Sequence, residues 1–530
     1  MMQPDALRKK DLTEAGEAPP HTSKIGSARR GFAVNVASNV IYMAVQTVTS
    51  VWFTPYLIAH LGIAAYGMWP LVNTLLAYLS VFTDSFNSAI SRFLTIDLGR
   101  GDSHTANRTF NTALFGVMGI VLALTPVALA LAFVFPHVFD VPPGWERDAS
   151  LLFGLVALAL FISVIGTNFA VSSYAHSKFL LRNLVNLAVL SARIGLAVAL
   201  FSLFPARLWH VGSGVLLGAI VAFLGYVVLW HRLTPELHVH MRAFDRSRLR
   251  SLMGMGGWIV VDRAGALLLK RIDLIVVNMI FGATMTGKYG AVMQFSILIN
   301  SLAITASTVT NPVIMNRYAQ GDFVGLKRLA AQSVKLMGLA LALPVGLLCG
   351  FSRPLLSIWL GPSFRELDLL LVFLVAHLTL NLGATPLGYV LSAFNRVRWA
   401  GIATLIAGVA NLGLAIALAT WSSWGVIGVA LAGAIVWTAK NTFFFPIYTA
   451  HVVKAPWWTF LPSLGFGVLG TLAVAGLAYA STLVNMPDNW FTLVASAAVV
   501  SLIYLVGAGT LALNRHEWQL LKDMLPRKIQ

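Results

Sequence analysis

The sequence predicts an all-α integral membrane protein of about fourteen transmembrane helices: two six-helix lobes related by a parallel repeat, then two C-terminal helices. Three observations carry this. The 530 residues are 58% apolar and only 11% charged, apolar runs of span length recur from end to end, and a set of landmarks recurs at an offset of about 220 residues. An ordinary soluble domain is roughly 25% charged. A chain this poor in charge cannot clothe a globule in polar surface, so its solvent is largely lipid, and each run is long enough to cross a hydrocarbon core of about 30 Å.

Residues 1–30 are polar and charged, contain Pro19-Pro20 and have no apolar core of their own. They are expected to be a disordered cytoplasmic tail, because the apolar stretch from Gly31 is too long for a signal peptide. The spans are then expected at 31–60, 66–96, 107–135, 148–175, 183–204, 209–231, 253–281, 286–316, 328–352, 366–394, 400–420, 424–450, 460–484 and 491–513. Spans 1–6 form the N-lobe (31–231), spans 7–12 the C-lobe (253–450), spans 13 and 14 an appendage (451–513), and 514–530 a cytoplasmic tail. The lone cysteine, Cys349, can form no internal disulfide.

The net charge of +17 is spread over helix ends and short loops rather than gathered in one patch, which speaks against a nucleic-acid partner. With the N-terminus inside, 25 of the 37 Lys and Arg fall on the cytoplasmic side and five outside. That asymmetry predicts N-in and C-in, with an even number of spans. The count also decides how VVDRAGALLLKRIDLIVVN, Val260 to Asn278, is read. Splitting it at Lys270-Arg271 would leave a remainder short for a span and put two basic segments on opposite sides. One long charged span is the better reading.

The repeat is carried by Tyr66-Gly67, Gly101-Asp102 and Arg108 in the first half, and by Tyr289-Gly290, Gly321-Asp322 and Arg328 in the second. Six intervening spans give both copies the same orientation, so the lobes are related by an axis along the membrane normal. Between them, HRLTPELHVHMRAFDRSRLRSLM (232–252 in the domain division) alternates basic and apolar residues after Pro235. It is expected to be a cytoplasmic amphipathic interfacial helix drawn to anionic membrane lipids.

Ionisable residues deep in a span are costly and face a bundle interior or a watery cavity. At 100° per residue, with Asp262 at 0°, Asp273 lies at about 20°, Lys270 at about 80°, Arg263 at about 100° and Arg271 at about 180°. Four charges thus share one face of span 7, expected to line the space between lobes. The carboxylates either pair with the basic groups in a structural network or face a solvated cavity. Asp84 and Arg92 on span 2 and Arg193 in span 5 are further candidates, whereas Lys335 and Lys440 can reach an interface more easily. Pro126, Pro344 and Pro386 break helix bonding inside spans. No phosphate-cradling loop, metal-spaced His/Cys cluster or catalytic triad is present, so neither a cofactor nor an enzyme activity is expected.

Two stretches carry a family resemblance. HLGIAAYGMWPLVNTLLAYLSVFTDSFNSAISRFLTIDLGRGD (60–102) resembles the second-span signature of bacterial polysaccharide flippases, in the multidrug/oligosaccharidyl-lipid/polysaccharide exporter superfamily. KRIDLIVVNMIFGATMTGKYGAVMQFSILI (270–299) resembles the same family's span 7–8 junction. Ser85-Phe86-Asn87 stands where relatives often have a Gly-containing turn. The resemblance implies an oligosaccharide on a polyprenyl diphosphate as cargo, flipped from the cytoplasmic to the periplasmic leaflet by alternating access for exopolysaccharide, capsule or O-antigen (lipopolysaccharide) synthesis, beside a polysaccharide polymerase complex. It implies a cationic cavity for the diphosphate, which Arg92, Arg193, Arg263, Lys270 and Arg271 suit, with Asp84, Asp262 and Asp273 as charge-pairing or coupling groups. The alternative is a cation-coupled small-molecule or multidrug exporter of the same superfamily, which would need an acidic interior. A scaffold in an assembly complex would tolerate neutralising every intramembrane charge.

Overall fold

A computed structural model describes residues 22–99, 102–514 and 517–518. The first half holds α1 (Thr22–Leu61), α2 (Ile63–Gly99), α3 (Ser103–Val138), α4 (Glu146–Ala175), α5 (Phe179–Leu203) and α6 (Leu208–Leu233). A segment without regular structure except a 3₁₀ turn, Met241–Ala243, leads to α7 (Arg246–Ala319), followed by α8 (Phe323–Gly350) and a short α9 (Ser352–Leu360). The tenth expected span comes in three pieces, α10 (Asp368–Val375), α11 (Leu378–Gly383) and α12 (Thr385–Ala393). Pro386 at the head of α12 has no N–H to donate and cannot continue the preceding turn. Next come α13 (Arg398–Trp421), α14 (Gly425–Ala439), a π turn Lys440–Phe444 ahead of Pro446, α15 (Phe445–Val452), α16 (Leu461–Val484) and α17 (Trp490–Gly507).

Among the described residues, ten helices are long and apolar enough to cross a membrane. The other four expected spans fall on α1, α2 and the two parts of α7. Helix α1 begins at Thr22, inside the stretch expected to be tail; residues 1–21 lie outside the described residues, as does most of 514–530. Helix α2 runs unbroken through Ser85-Phe86-Asn87.

Helices α1–α6 pack chiefly with one another, as do α7–α17, and the two lobes meet mainly along α2 and α7. The repeat is visible in the backbone. Gly62 separates α1 from α2 at φ 79°, and Gly282, 220 residues later, breaks α7 at the same angle. Both occupy the left-handed region that suits glycine. Asp102 and Asp322, again 220 apart, cap α3 and α8 by accepting the backbone N–H three residues on.

The inter-lobe segment departs from expectation, because it forms no interfacial helix ahead of α7. Its backbone is engaged elsewhere. The His238 and His240 amides donate to Asn107 Oδ1 (2.8 Å) and Asn111 Oδ1 (2.7 Å), and Asn111 Nδ2 donates to His238 O (2.8 Å). With those groups taken by α3, a helical ladder over 238–240 cannot form.

Candidate functional site

The bundle has two ends: the linker end, carrying 234–245, and the far end, carrying Gly62, Gly282 and the α3–α4 loop. At the far end the lobes close on each other across the pseudo-axis. A Cβ on Gly67 would lie 2.6 Å from Gly287 N and 2.9 Å from Ala283 O, and one on Gly287 would overlap the Ile63 carbonyl. Small residues of this kind let helix backbones touch. The N-lobe also supplies the cap for the broken helix of the C-lobe. Asp140 Oδ2 accepts from Ala283 N at 2.7 Å, and Asn278 exchanges bonds with the Asp140 backbone at 2.9 and 3.1 Å.

At the linker end, Arg108 Nη2 contacts Asp245 Oδ2 at 2.8 Å and Arg248 Nη1 contacts Asp97 Oδ2 at 3.1 Å. Thr109 Oγ1 donates to the same Asp97 oxygen at 2.7 Å. The start of α7 is thereby fastened to α2 and α3. Asp245 caps α7, and the backbone N–H of Arg248, then that of Ser247 and the Arg108 charge, hold its carboxyl below the usual range.

Between these ends the span-7 charges separate into distinct environments. Asp273 is buried and accepts from Tyr289 Oη at 2.9 Å and from Asn411 Nδ2 at 3.5 Å. It makes no ion pair with a described residue, and being buried it faces no solvated cavity either, so at Asp273 neither of the two alternatives is met. The reason is reach: its carboxylate points between the second part of α7 and α13, while the basic side chains point elsewhere. Lys270 Nζ donates to Asn300 Oδ1 at 3.3 Å and sits 4.7 Å from the Trp437 ring centroid. Lys440, from the π turn, donates to Thr404 Oγ1 at 3.3 Å and shares the field of Lys270, Arg263 and Asp262. Asp262 and Arg263 are exposed, and Asp262 packs against Gly401 of α13.

The four-charge face therefore turns towards α13 and α14 rather than towards the N-lobe. Tyr78 of α2, whose hydroxyl donates to Leu267 O at 3.4 Å, lies within electrostatic range of both Asp273 and, on the opposite face, Arg271. The result is a cationic cluster of Arg263, Lys270 and Lys440, with Arg271 also in electrostatic range of Lys270, about one carboxylate, Asp262. In the N-lobe, the Arg193 guanidinium lies 5.0 Å from the Trp69 ring centroid and borders a cavity of about 360 Å³ with Asn73, Ser80 and Ser163. Asp84 and Arg92 lie on α2, and their side chains are outside the described residues.

Residues 28–316 match the description of the polysaccharide biosynthesis protein family. The chain belongs to that family. It is 30% identical over 493 residues to the uncharacterized membrane protein EpsK of Bacillus subtilis (strain 168), covering 92% of this chain and 97% of that one. It is also 23% identical over 353 residues to a putative O-antigen transporter of Shigella flexneri, covering 64% and 80%. Among solved structures it is similar to the lipid II flippase MurJ in an inward closed conformation, at a TM-score of 0.65 and 15% identity over 93% of this chain and 100% of that one. At that identity the likeness speaks to the fold alone. Both stretches that carried the resemblance, 60–102 and 270–299, lie within the family match.

Sequence reasoning about this family member missed the neutral partners. Tyr289 was noticed only as a repeat landmark, and Asn411 and Asn300 were passed over. Each is a polar residue in an apolar run: the buried Asp273 carboxylate needs donors such as Tyr289 and Asn411, and Lys270 an acceptor such as Asn300. Lys440 was set aside as able to reach the interface, whereas the π turn directs it inward.

Proposed function

We propose that the protein flips a polyprenyl-diphosphate-linked oligosaccharide across the bacterial inner membrane, for surface polysaccharide synthesis. The linker end faces the cytoplasm, where the positive-inside count places it, and both termini lie on that side. The observation that carries the reading is the cluster of Arg263, Lys270 and Lys440 about a single carboxylate, which leaves a net positive charge inside the C-lobe. A diphosphate supplies the missing anions through charge-assisted hydrogen bonds. Arg193, beside a largely apolar cavity that also holds Asn73, Ser80 and Ser163 in the N-lobe, contacts the cargo from the other side. The glycan crosses between the lobes while the polyprenyl tail stays in lipid. A small cationic drug would meet repulsion at this cluster, which disfavours the multidrug alternative.

Asp273 is the proposed coupling group. It is a buried carboxylate held only by neutral donors, so its charge is free to be balanced by a proton or ion that comes and goes. Flipping then follows alternating access: the far-end glycine contact and the linker-end ion pairs are broken in alternation. A polymerase at the far side would take the delivered unit.

The test is a reconstituted flipping assay with a fluorescent polyprenyl-diphosphate oligosaccharide, alongside surface polysaccharide in a deletion strain. Each charge-assisted hydrogen bond contributes about 1.5–3 kcal/mol, or roughly tenfold or more in rate. Lys270→Gln with Lys440→Gln should lower flipping at least tenfold with normal membrane insertion, and Arg193→Gln should do the same. Unchanged flipping in both would refute the assignment of the cationic cluster to the cargo.

A further inference from the structure

The two lobes treat equivalent arginines differently. Arg108 of α3 and Arg328 of α8 each stand six residues after a capping aspartate, Asp102 or Asp322. In the N-lobe, Arg108 holds the Asp245 carboxylate at 2.8 Å and Thr112 Oγ1 accepts the Asp245 amide at 3.0 Å. The 220-residue offset puts Gln332 where Thr112 stands and Arg317 where Asp97 stands. The segment that would deliver an acid to Arg328 lies between α15 and α16. It reads VKAPWWTF, 453–460, and contains no Asp or Glu. It is also shorter than the stretch between α6 and α7 that carries Asp245.

What remains is an open cavity of about 330 Å³ bounded by Arg317, Asp322, Gly325, Arg328 and Gln332. Arg328 is exposed and makes no hydrogen bond to another described residue. Asp322 is already engaged: it accepts from Gly325 N at 2.8 Å and from Arg317. Two positive charges, Arg317 and Arg328, act on this one carboxylate, while Lys327 Nζ reaches Lys454 O at 3.4 Å.

The surroundings indicate the depth at which the slot sits. Phe323 and Val324, in the first turn of α8, are exposed, and so are Trp457 and Trp458, whose ring centroids are 5.4 Å apart. Exposed tryptophans next to basic side chains mark the headgroup level of a bilayer, where lipid phosphates lie. We infer that the slot binds the phosphate of an anionic phospholipid from the leaflet at the linker end. Arg328 grips the phosphate with the free edge of Arg317, Gln332 donates an amide hydrogen, and the acyl chains run along Phe323 and Val324. A lipid thus fills in the C-lobe the place that Asp245 fills in the N-lobe.

Native mass spectrometry of the full chain released from detergent tests this, with phosphatidylglycerol and phosphatidylcholine as probes and inorganic phosphate as competitor. The wild type should retain one phosphatidylglycerol in preference to phosphatidylcholine, and millimolar phosphate should not displace it. Arg328→Gln should lower the singly bound species at least fivefold, and Arg328→Lys should keep part of it. Arg365→Gln, an exposed arginine at the far end, should change nothing. Thermal unfolding of each variant checks that the exposed substitutions leave the fold intact. Equal binding by the wild type and Arg328→Gln, or equal retention of the two lipids, would overturn the inference. Displacement of the phospholipid by equimolar polyprenyl phosphate would also overturn it, since the slot would then belong to the cargo.

Discussion

The far-end closure makes a quantitative prediction through Gly67→Ala. The added Cβ would lie 2.6 Å from Gly287 N. Ordinary contacts of carbon begin near 3.5 Å, so α2 and the second part of α7 must part by about 0.9 Å. Forcing a methyl group into a packed contact costs about 1–3 kcal/mol, and that cost falls only on the conformation in which the contact exists. At 1.4 kcal/mol per tenfold, the closed state loses about 5- to 140-fold in relative population. A closed-to-open ratio of 99:1 would fall to between about 95:5 and about 40:60.

The assay is a distance measurement by double electron–electron resonance. Cysteines replace the exposed far-end residues Arg147 and Glu366, one in each lobe, in a Cys349→Ala background. The wild type should show one short distance, and Gly67→Ala should add a longer component of at least 5%. Gly287→Ala, whose methyl would fall on the Ile63 carbonyl, should show more of it. Identical distance distributions in all three proteins would mean that the glycine contact does not gate the far end, and the reasoning would fail.

The other predictions are more local. Lys335 and Glu517 form an ion pair at 2.7 Å with side chains 8% and 5% exposed; Lys335→Ala should lower stability by about 3–5 kcal/mol, seen in thermal unfolding, whereas Lys335→Met with Glu517→Met should recover most of the loss. Asp245, with its carboxyl held below the usual range by backbone N–H groups and Arg108, stabilises the linker clamp at neutral pH. That contribution is lost only as pH falls below the ordinary carboxylate range, so the difference in stability between wild type and Asp245→Asn should be constant from pH 5 to 8 and shrink in stronger acid. Asp273→Asn keeps the shape, its amide oxygen still accepting from Asn411 and its amide N–H donating to a Tyr289 hydroxyl turned to accept, so folding should be retained while the dependence of flipping on an ion or proton gradient flattens; an unaltered gradient dependence would exclude Asp273 from coupling.

What was legible in the sequence follows from which interactions are local. Helix-forming runs depend on neighbours within a few turns, yet of the three prolines only Pro386 coincides with a break, while α3 and α8 run on through Pro126 and Pro344; Asp102 and Asp322, read in the sequence only as repeat landmarks, prove to be caps. The orientation of span 7 was half legible. Helical geometry grouped Asp262, Arg263, Lys270 and Asp273 on one face, but nothing local says which helix that face meets, and it turned to α13 and α14. The linker failed for a related reason. Its apolar spacing suits a helix, but Asn107 and Asn111, some 130 residues earlier, take up the backbone groups a helix would need.

The repeat separates scaffold from chemistry. Gly62 and Gly282, Gly67 and Gly287, and Asp102 and Asp322 are matched across the lobes, and all of them are breaks, contacts or caps. The charges of span 7 are not matched. Offset by 220 along the continuous helices α1 and α7, Lys270 corresponds to Ser50, Arg271 to Val51 and Asp273 to Phe53. Both lobes carry the same break, a left-handed glycine at φ 79°. On the proposed function, a shared break and unshared charges would let the lobes move alike around a cargo held unequally by the two. On the proposed function the C-lobe would supply the cationic cluster and the coupling carboxylate and the N-lobe Arg193, while α1 has Phe53 buried at the place that Asp273 takes in α7.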